Sequence, residues 1–333
     1  MPLTRRRFVS TTFASLTVFA RSARAAEISF VQYHNQTTAS ALHRRLVEMW
    51  DRIRQQTQGR VEARVFPQNN NIAGSDPAAL KALVAGEIQF FTLMGGILGT
   101  LVPAAEVQQM PYAFRSAAHA HQTMDGPLGA YLREEMAAKG VHGFAVGAFD
   151  NGMRQITAKK RIATPDDLAG LKMRVPAGQL VADTFTALGC QPVVINSDSI
   201  YAALKDGRAD AQENPLTLAD QFKLYEVVTD VAMTNHMWSG FNLLAHAPTW
   251  QGLPEDVRSV IDRNVTAAVR QQRRDQIDAN TRLERELAAR GLRFTKPGSA
   301  PFKRGLTLVY ATWRERLGSR CFALLERASG TLT

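Results

Sequence analysis

The sequence predicts an α/β fold with mostly parallel sheet, divided into two domains that one long helix crosses. Three observations predict it. Short runs rich in β-branched and aromatic residues alternate with helix-patterned stretches along most of the chain. At 333 residues the chain is long enough to bury two cores, although length alone also allows one large domain. One helical pattern, opened by Pro254 and closed by Gly291, runs for about 37 residues, or roughly 55 Å, which exceeds the ~30 Å width of a small domain. The competing reading of that pattern is two helices broken near 271–275.

The elements follow in order. Ile28–Tyr33 reads as a strand, and 38–57 as a helix with Leu42, Leu46, Met49, Trp50 and Ile53 on one face. Val61–Phe66 is the next strand, followed by a polar loop over 68–72, a helix over 77–85 and a buried strand, Ile88–Met94, ended by Gly95 and Gly96. Helices over 116–124 and 127–139 precede a strand at Val141–Ala148. Strands at Arg154–Ala158, Lys172–Val175, Gln191–Ile195 and Ala209–Gln212 enclose helices over 177–188 and 198–206. In the long pattern, Val257, Val260, Ile261, Val265, Ala268, Val269, Ile277, Leu283 and Leu287 recur at helical spacing, and Gly291 suits the left-handed turn past a helix end. In open sheets of this class, ligands sit beyond the carboxyl ends of the strands.

Composition narrows the function. Hydrophobic residues make up 45% and charged residues 21%, ordinary values for a globular protein that argue against disorder. No stretch reaches the roughly 18 unbroken apolar residues of a membrane span, so no stable insertion of the mature chain is expected. Arg5, Arg6, Arg7, Arg21 and Arg24 stand in the first 26 residues with no acidic residue among them. Paired arginines, a weakly apolar stretch and Ala23-Arg24-Ala25 form the layout of an export leader over 1–26, and the arginine pair points to the twin-arginine route rather than the general one. The formal charge of +10 therefore falls to about +5 in the mature chain, a mild excess that suits anionic ligands. The basic residues are interspersed with acidic ones, which argues against nucleic acid as a partner. Two cysteines, Cys190 and Cys321, allow one bridge at most, and two separate buried thiols are the commoner arrangement.

No signature of nucleophilic, nucleotide-binding or zinc-protease chemistry is present, and no catalytic residue, cofactor or metal ligand is assigned. His119 and His121 form an isolated H-x-H that reads as helix surface. Two arginines stand where arginine is unexpected: Arg154 opens an apolar strand and Arg174 closes another. Arginine offers carboxylates a planar fork of donors and keeps its charge at any working pH. The alternative for each is an ion pair with a structural acid.

Five segments then acquire a joint meaning: NGMRQITAKKRI (151–162), DLAGLKMRVPAG (167–178), IYAALKDGRADAQENPL (200–216), KLYEVVTDVAMTNH (223–236) and LPEDVRSVI (253–261). Together, and in this order, they resemble the DctP-type solute-binding proteins of TRAP (tripartite ATP-independent periplasmic) transporters, over nearly the whole mature chain. The resemblance implies a two-lobed periplasmic binding-protein clamshell with a long helix spanning both lobes. Lobe I is expected over 27–151 plus about 238–275, and lobe II over 152–237 plus about 276–333. It implies that Arg174 pairs with a ligand carboxylate, that Arg154 and Asn214 contact the ligand, and that Glu213 is structural. The implied partners are a small organic carboxylate and the integral-membrane permease subunits of a TRAP system.

The first lobe follows the family pattern less closely. His34 and Asn35 end a strand, where a ligand contact and a structural role both fit. Trp238 fits a pocket wall and a hinge equally well. Met94-Gly95-Gly96 is apolar where sugar-acid-binding relatives carry a polar or acidic residue, which points Met94 at a carboxylate with an apolar or aromatic body. A periplasmic enzyme using His34 or His236 as base, and a ligand sensor for a signalling receptor, are the alternative functions.

Overall fold

The computed structural model describes residues 26–333; the predicted export leader lies outside them. Among these residues the chain forms two sheets. The first contains β1 (Ile28–His34), β2 (Val61–Phe66), β3 (Phe90–Met94), β4 (Val141–Met153) and, far along the chain, β10 (Trp238–His246), in the order β2-β1-β3-β10-β4. The second contains β5 (Gln155–Ala158), β6 (Lys172–Val175), β7 (Gln191–Val194), β8 (Ala211–Asn214), β9 (Asp230–Ala232) and β11 (Arg293–Thr295), in the order β11-β9-β5-β8-β6-β7.

The expected parallel character holds only in part. β1 runs parallel to β2 and β3, and β6 to β7 and β8, but β10 is antiparallel to both its neighbours, as is β5 to β8 and β9. These antiparallel strands follow from the way the chain changes sheets. β4 runs into β5 through Arg154, β9 returns to β10 through 233–237, and the two crossings touch where the Arg154 N–H donates to the Met237 carbonyl at 2.8 Å.

Helices cover the sheets: α1 (Ala41–Gln56), α2 (Ser75–Ala85), α3 (Gly95–Leu98), α4 (Ala117–Asp125) and α5 (Pro127–Ala137) in the first half; α6 (Gln179–Ala187), α7 (Ile200–Asp206) and α8 (Leu216–Gln221) in the second; then α9 (Ala247–Gln251), α10 (Glu255–Ala289), α11 (Ser299–Arg304) and α12 (Thr307–Ser329). α1 starts where the Ser40 hydroxyl accepts the His43 N–H, and it buries all five predicted apolar residues. The Trp50 indole on its inner face donates to Gln32, which donates to Thr92, tying helix to sheet.

α10 is one unbroken helix of 35 residues, so the two-helix reading is discarded. Glu255 and Asp256 in its first turn suit the positive end of the helix dipole. It packs on α1 and β4 at one end and on α8 and β11 at the other, and so serves both sheets. Ile277, assigned to its apolar face, is 45% exposed; at that level the buried face is polar, with Gln272, Arg273 and Gln276. α12 also touches both halves, packing on α5 and α6, with a break at Gly318 (φ 77°, ψ 159°). Cys190 and Cys321 are two buried free thiols.

Candidate functional site

The two sheets meet around the crossing at Arg154, and the predicted site residues gather there. Arg174, at the carboxyl end of β6, is 3% exposed. Its Nε donates to the Ile195 carbonyl at 2.8 Å. Its two terminal nitrogens make no hydrogen bond or ion pair to any described residue. Burial first, then the nearby Arg154 charge, pull its pKa down to about 10, against the opposing pull of Glu213, Asp76 and Asp198. The group therefore stays cationic at neutral pH while lacking an anion of its own.

Arg154 has the opposite hydrogen-bond account. Its Nε meets Glu213 Oε2; Nη2 donates to Glu213 Oε1 at 2.6 Å and to the Glu213 carbonyl at 2.7 Å; Nη1 donates to Ser239 Oγ at 3.0 Å and Met94 Sδ at 3.3 Å. All five guanidinium N–H groups thus have protein acceptors. Glu213 is fully buried, which pushes its carboxyl up, but the Arg154 charge and the bonds from His236 and Arg154 outweigh this and hold it at about 2. In this structure Arg154 therefore has the ion pair with a structural acid that was the alternative to a ligand contact.

Asn214 ends β8 next to that pair. Its Nδ2 donates to Gln212 at 2.6 Å, and its carbonyl oxygen has no hydrogen-bond partner among the described residues. Met94 is buried, with its sulfur accepting from Arg154, from Gln109 at 3.4 Å and from Ser239 at 3.7 Å, so it packs behind Arg154. His34 is turned away: Nε2 pairs with His43 at 3.0 Å and Nδ1 accepts from the Gln36 N–H at 3.2 Å, with burial lowering its pKa to about 3. Trp238 opens β10 beside the crossing between the sheets. It is wholly buried, donates to Asp150 at 2.8 Å, and lies over Gly240. His236 is also occupied, by Thr234 at 2.7 Å and Glu213 at 3.2 Å. Neither histidine nominated as a base is available to a substrate.

Several residues of the site escaped the sequence reading. Asp76 and Asn69 are two of them: Asn35, itself a sequence candidate, donates to Asp76 Oδ2 at 2.8 Å and Asn69 to Asp76 Oδ1 at 2.7 Å, which builds a buried polar corner on the first half. Asn196, one residue past the carbonyl that holds Arg174, reaches the Gly74 carbonyl at 3.5 Å from the second half. Gly178, four residues after Arg174, lies close against Gly96: a Cβ there would stand 3.2 Å from the Gly96 carbonyl, tighter than an ordinary contact. Glu106 caps α6 across the same boundary, accepting the Leu180 N–H at 2.6 Å. The Asn69–Asn71 run before Gly74 was the one available signal for the corner, since asparagine is the residue besides glycine that most readily takes left-handed backbone. Among the described residues no group of three or more His, Cys, Asp or Glu could hold a metal ion.

Comparison with known proteins agrees with this geometry. Residues 33–316 match the model of the family DctP, bacterial extracellular solute-binding protein, family 7. The chain is 29% identical over 283 residues to the C4-dicarboxylate-binding periplasmic protein DctP of Rhodobacter capsulatus, covering 82% of each. It is 25% identical over 268 residues to the sialic acid-binding periplasmic protein SiaP of Vibrio cholerae, covering 80% of this chain and 83% of that one. A TRAP periplasmic solute-binding protein from Roseobacter denitrificans, solved with bound L-galactonate, superposes with a TM-score of 0.84 at 25% identity, over 90% of this chain and 99% of that one. A match over most of its length, on a fold with two sheets and a shared helix, places the chain in the DctP family of TRAP periplasmic solute-binding proteins, which are binding subunits and not enzymes.

Proposed function

We propose that the protein captures a small organic carboxylate between its two halves, with Arg174 as the anchor, and delivers it to the membrane permease of a TRAP system. The observation that carries this is the guanidinium of Arg174: buried, cationic, and without a partner for its two outer nitrogens among the described residues. Such a group is costly to bury alone and is relieved by a bidentate carboxylate. The carboxylates named for the relatives, a C4-dicarboxylate, sialic acid and L-galactonate, share the group that Arg174 would hold. Asn214, with its free carbonyl, and Asn35 are the neighbouring contacts. The lobes that close are those expected from the sequence, 27–151 with about 238–275 and 152–237 with about 276–333, and residues 1–26 are the leader that brings the chain to the periplasm.

The test is a melting experiment on purified mature protein with an organic-acid panel. One member should raise the transition, by about 3 kcal/mol of added stability at a hundredfold excess over its dissociation constant. Arg174→Ala should abolish that shift. A shift that persists in the variant would remove Arg174 from its central place.

A further inference from the structure

The second half of the molecule takes a helix cap from the first. Among the described residues, no side chain at the start of α6 caps that helix: Gly178 stands at the N-cap with no side chain to offer, and the first turn holds no acid. The first backbone N–H groups of a helix have no partner within it, and burying them unpaired is costly. Glu106 supplies the acceptor. It lies in the turn Pro103–Gln109 of the first half, is 6% exposed, and accepts the Leu180 N–H at 2.6 Å, while Gln179 adds a second backbone hydrogen bond. A carboxylate also suits the positive end of the helix dipole. The place is shaped from both halves. Gly99 leaves room for the acid, since a Cβ there would stand 2.1 Å from Glu106 Cγ, and Gly178 brings the start of α6 close against Gly96.

One short turn joins this cap to Arg174. β6 ends at Val175, and only Pro176 and Ala177 separate it from Gly178. We infer that Glu106 is a latch on capture: its carboxyl group, on the first half, holds the start of α6 on the second, and so slows the departure of a carboxylate bound to Arg174. The inference rests on the anchoring role proposed for Arg174 and on the approach of the two halves. When the halves part, the bonds to α6 break and Glu106 returns to water. The latch answers to protons with a defined sign. Burial is the main cause that raises the Glu106 carboxyl from 4.5 to about 7, against the pull of the two amides. The charged groups whose fields reach it are Asp183 on α6, which raises it, and Arg316 on α12, which lowers it; α3 and β10, packed on the same turn, carry no Asp, Glu, Lys or Arg. Closure therefore takes up a proton, and this contribution is fully present below about pH 4.5 and lost as pH rises through about 7.

The test is stopped-flow tryptophan fluorescence on the mature protein with whichever of succinate, L-galactonate, D-glucuronate and sialic acid binds most tightly. At pH 6, Glu106→Ala should release the acid about 10- to 100-fold faster, with an association rate within about threefold of wild type. Glu106→Gln keeps an acceptor and should stay within about threefold in both rates. Calorimetric titration gives the proton readout: wild-type affinity relative to Glu106→Gln should fall by at least about threefold from pH 5 to pH 8. Melting of the unliganded variants checks that they fold, and if Glu106→Ala does not, the comparison with Glu106→Gln across pH decides. Release from Glu106→Ala within about twofold of wild type, release from Glu106→Gln as fast as from Glu106→Ala, or an affinity ratio unchanged across pH overturns the inference. Where Arg174→Ala abolishes binding, these results remove the latch and leave the anchor standing. Binding of none of the four acids, or binding that survives Arg174→Ala, removes both.

Discussion

Arg154 and Arg174 show how little a residue's type says about its role. Both are buried arginines at the ends of apolar strands, and only the acceptors around them differ: five protein acceptors for one, a single backbone carbonyl for the other. Arg154→Met should therefore act on stability. It would leave Glu213 buried without its main counter-charge, a loss of roughly 3–5 kcal/mol. Urea unfolding measures this, and adding Glu213→Leu should restore much of it; a single-variant loss below about 1 kcal/mol would show the pair to be dispensable. Glu106 gives a pH dependence with a defined sign. Burial raises its carboxyl from 4.5 to about 7, while the amides of Leu180 and Gln179 pull the other way, and Asp183 and Arg316 face it with opposite effects. A raised folded-state value means a contribution fully present below about pH 4.5 and lost as pH rises through about 7. Glu106→Gln keeps an acceptor for α6 without the titration. The wild-type advantage in melting temperature over this variant should shrink between pH 4.5 and 7.5, and a flat difference would show that Glu106 does not titrate there.

Among the elements, β10 and α10 organise the crossing between the two sheets. β10 was missed in the sequence because it is buried on both faces, so Trp238–His246 carries no alternation to mark it as a strand. Its geometry depends on Gly240, where a Cβ would stand 1.9 Å from the Trp238 ring. Gly240→Ala should cost about 1–3 kcal/mol through overpacking, read as a lowered urea midpoint with unchanged slope. An unaltered midpoint would mean that Trp238 moves aside freely. α10 was legible in length and termini from periodicity, but its contacts at the crossing between the sheets were not. Gln272 brackets Asp150 by accepting its N–H at 2.8 Å and donating to its carbonyl at 2.6 Å, while Gln276 donates to the Asn151 carbonyl and to Thr217, both at 2.8 Å. These side chains satisfy backbone groups just before the chain crosses between sheets, where ladder partners run out.

At the scale of the whole molecule, ligand contacts drawn from both halves can form only when the halves approach. Small-angle X-ray scattering of the mature protein should show a smaller radius of gyration on adding a binding carboxylate, and no change in Arg174→Ala. A wild-type profile that does not contract would exclude closure as the capture step. The chain by itself determined the alternating elements, the long helix, the segments of family character and the position of Arg174, because these depend on local periodicity and on short runs of residues. Only the tertiary structure decided which arginine keeps free donors, that His34 and Trp238 face inward, and that an asparagine turn and Asp76 stand across from Arg174. Those outcomes depend on which acceptors, brought from distant parts of the chain, come within hydrogen-bonding distance, and sequence spacing carries no record of that.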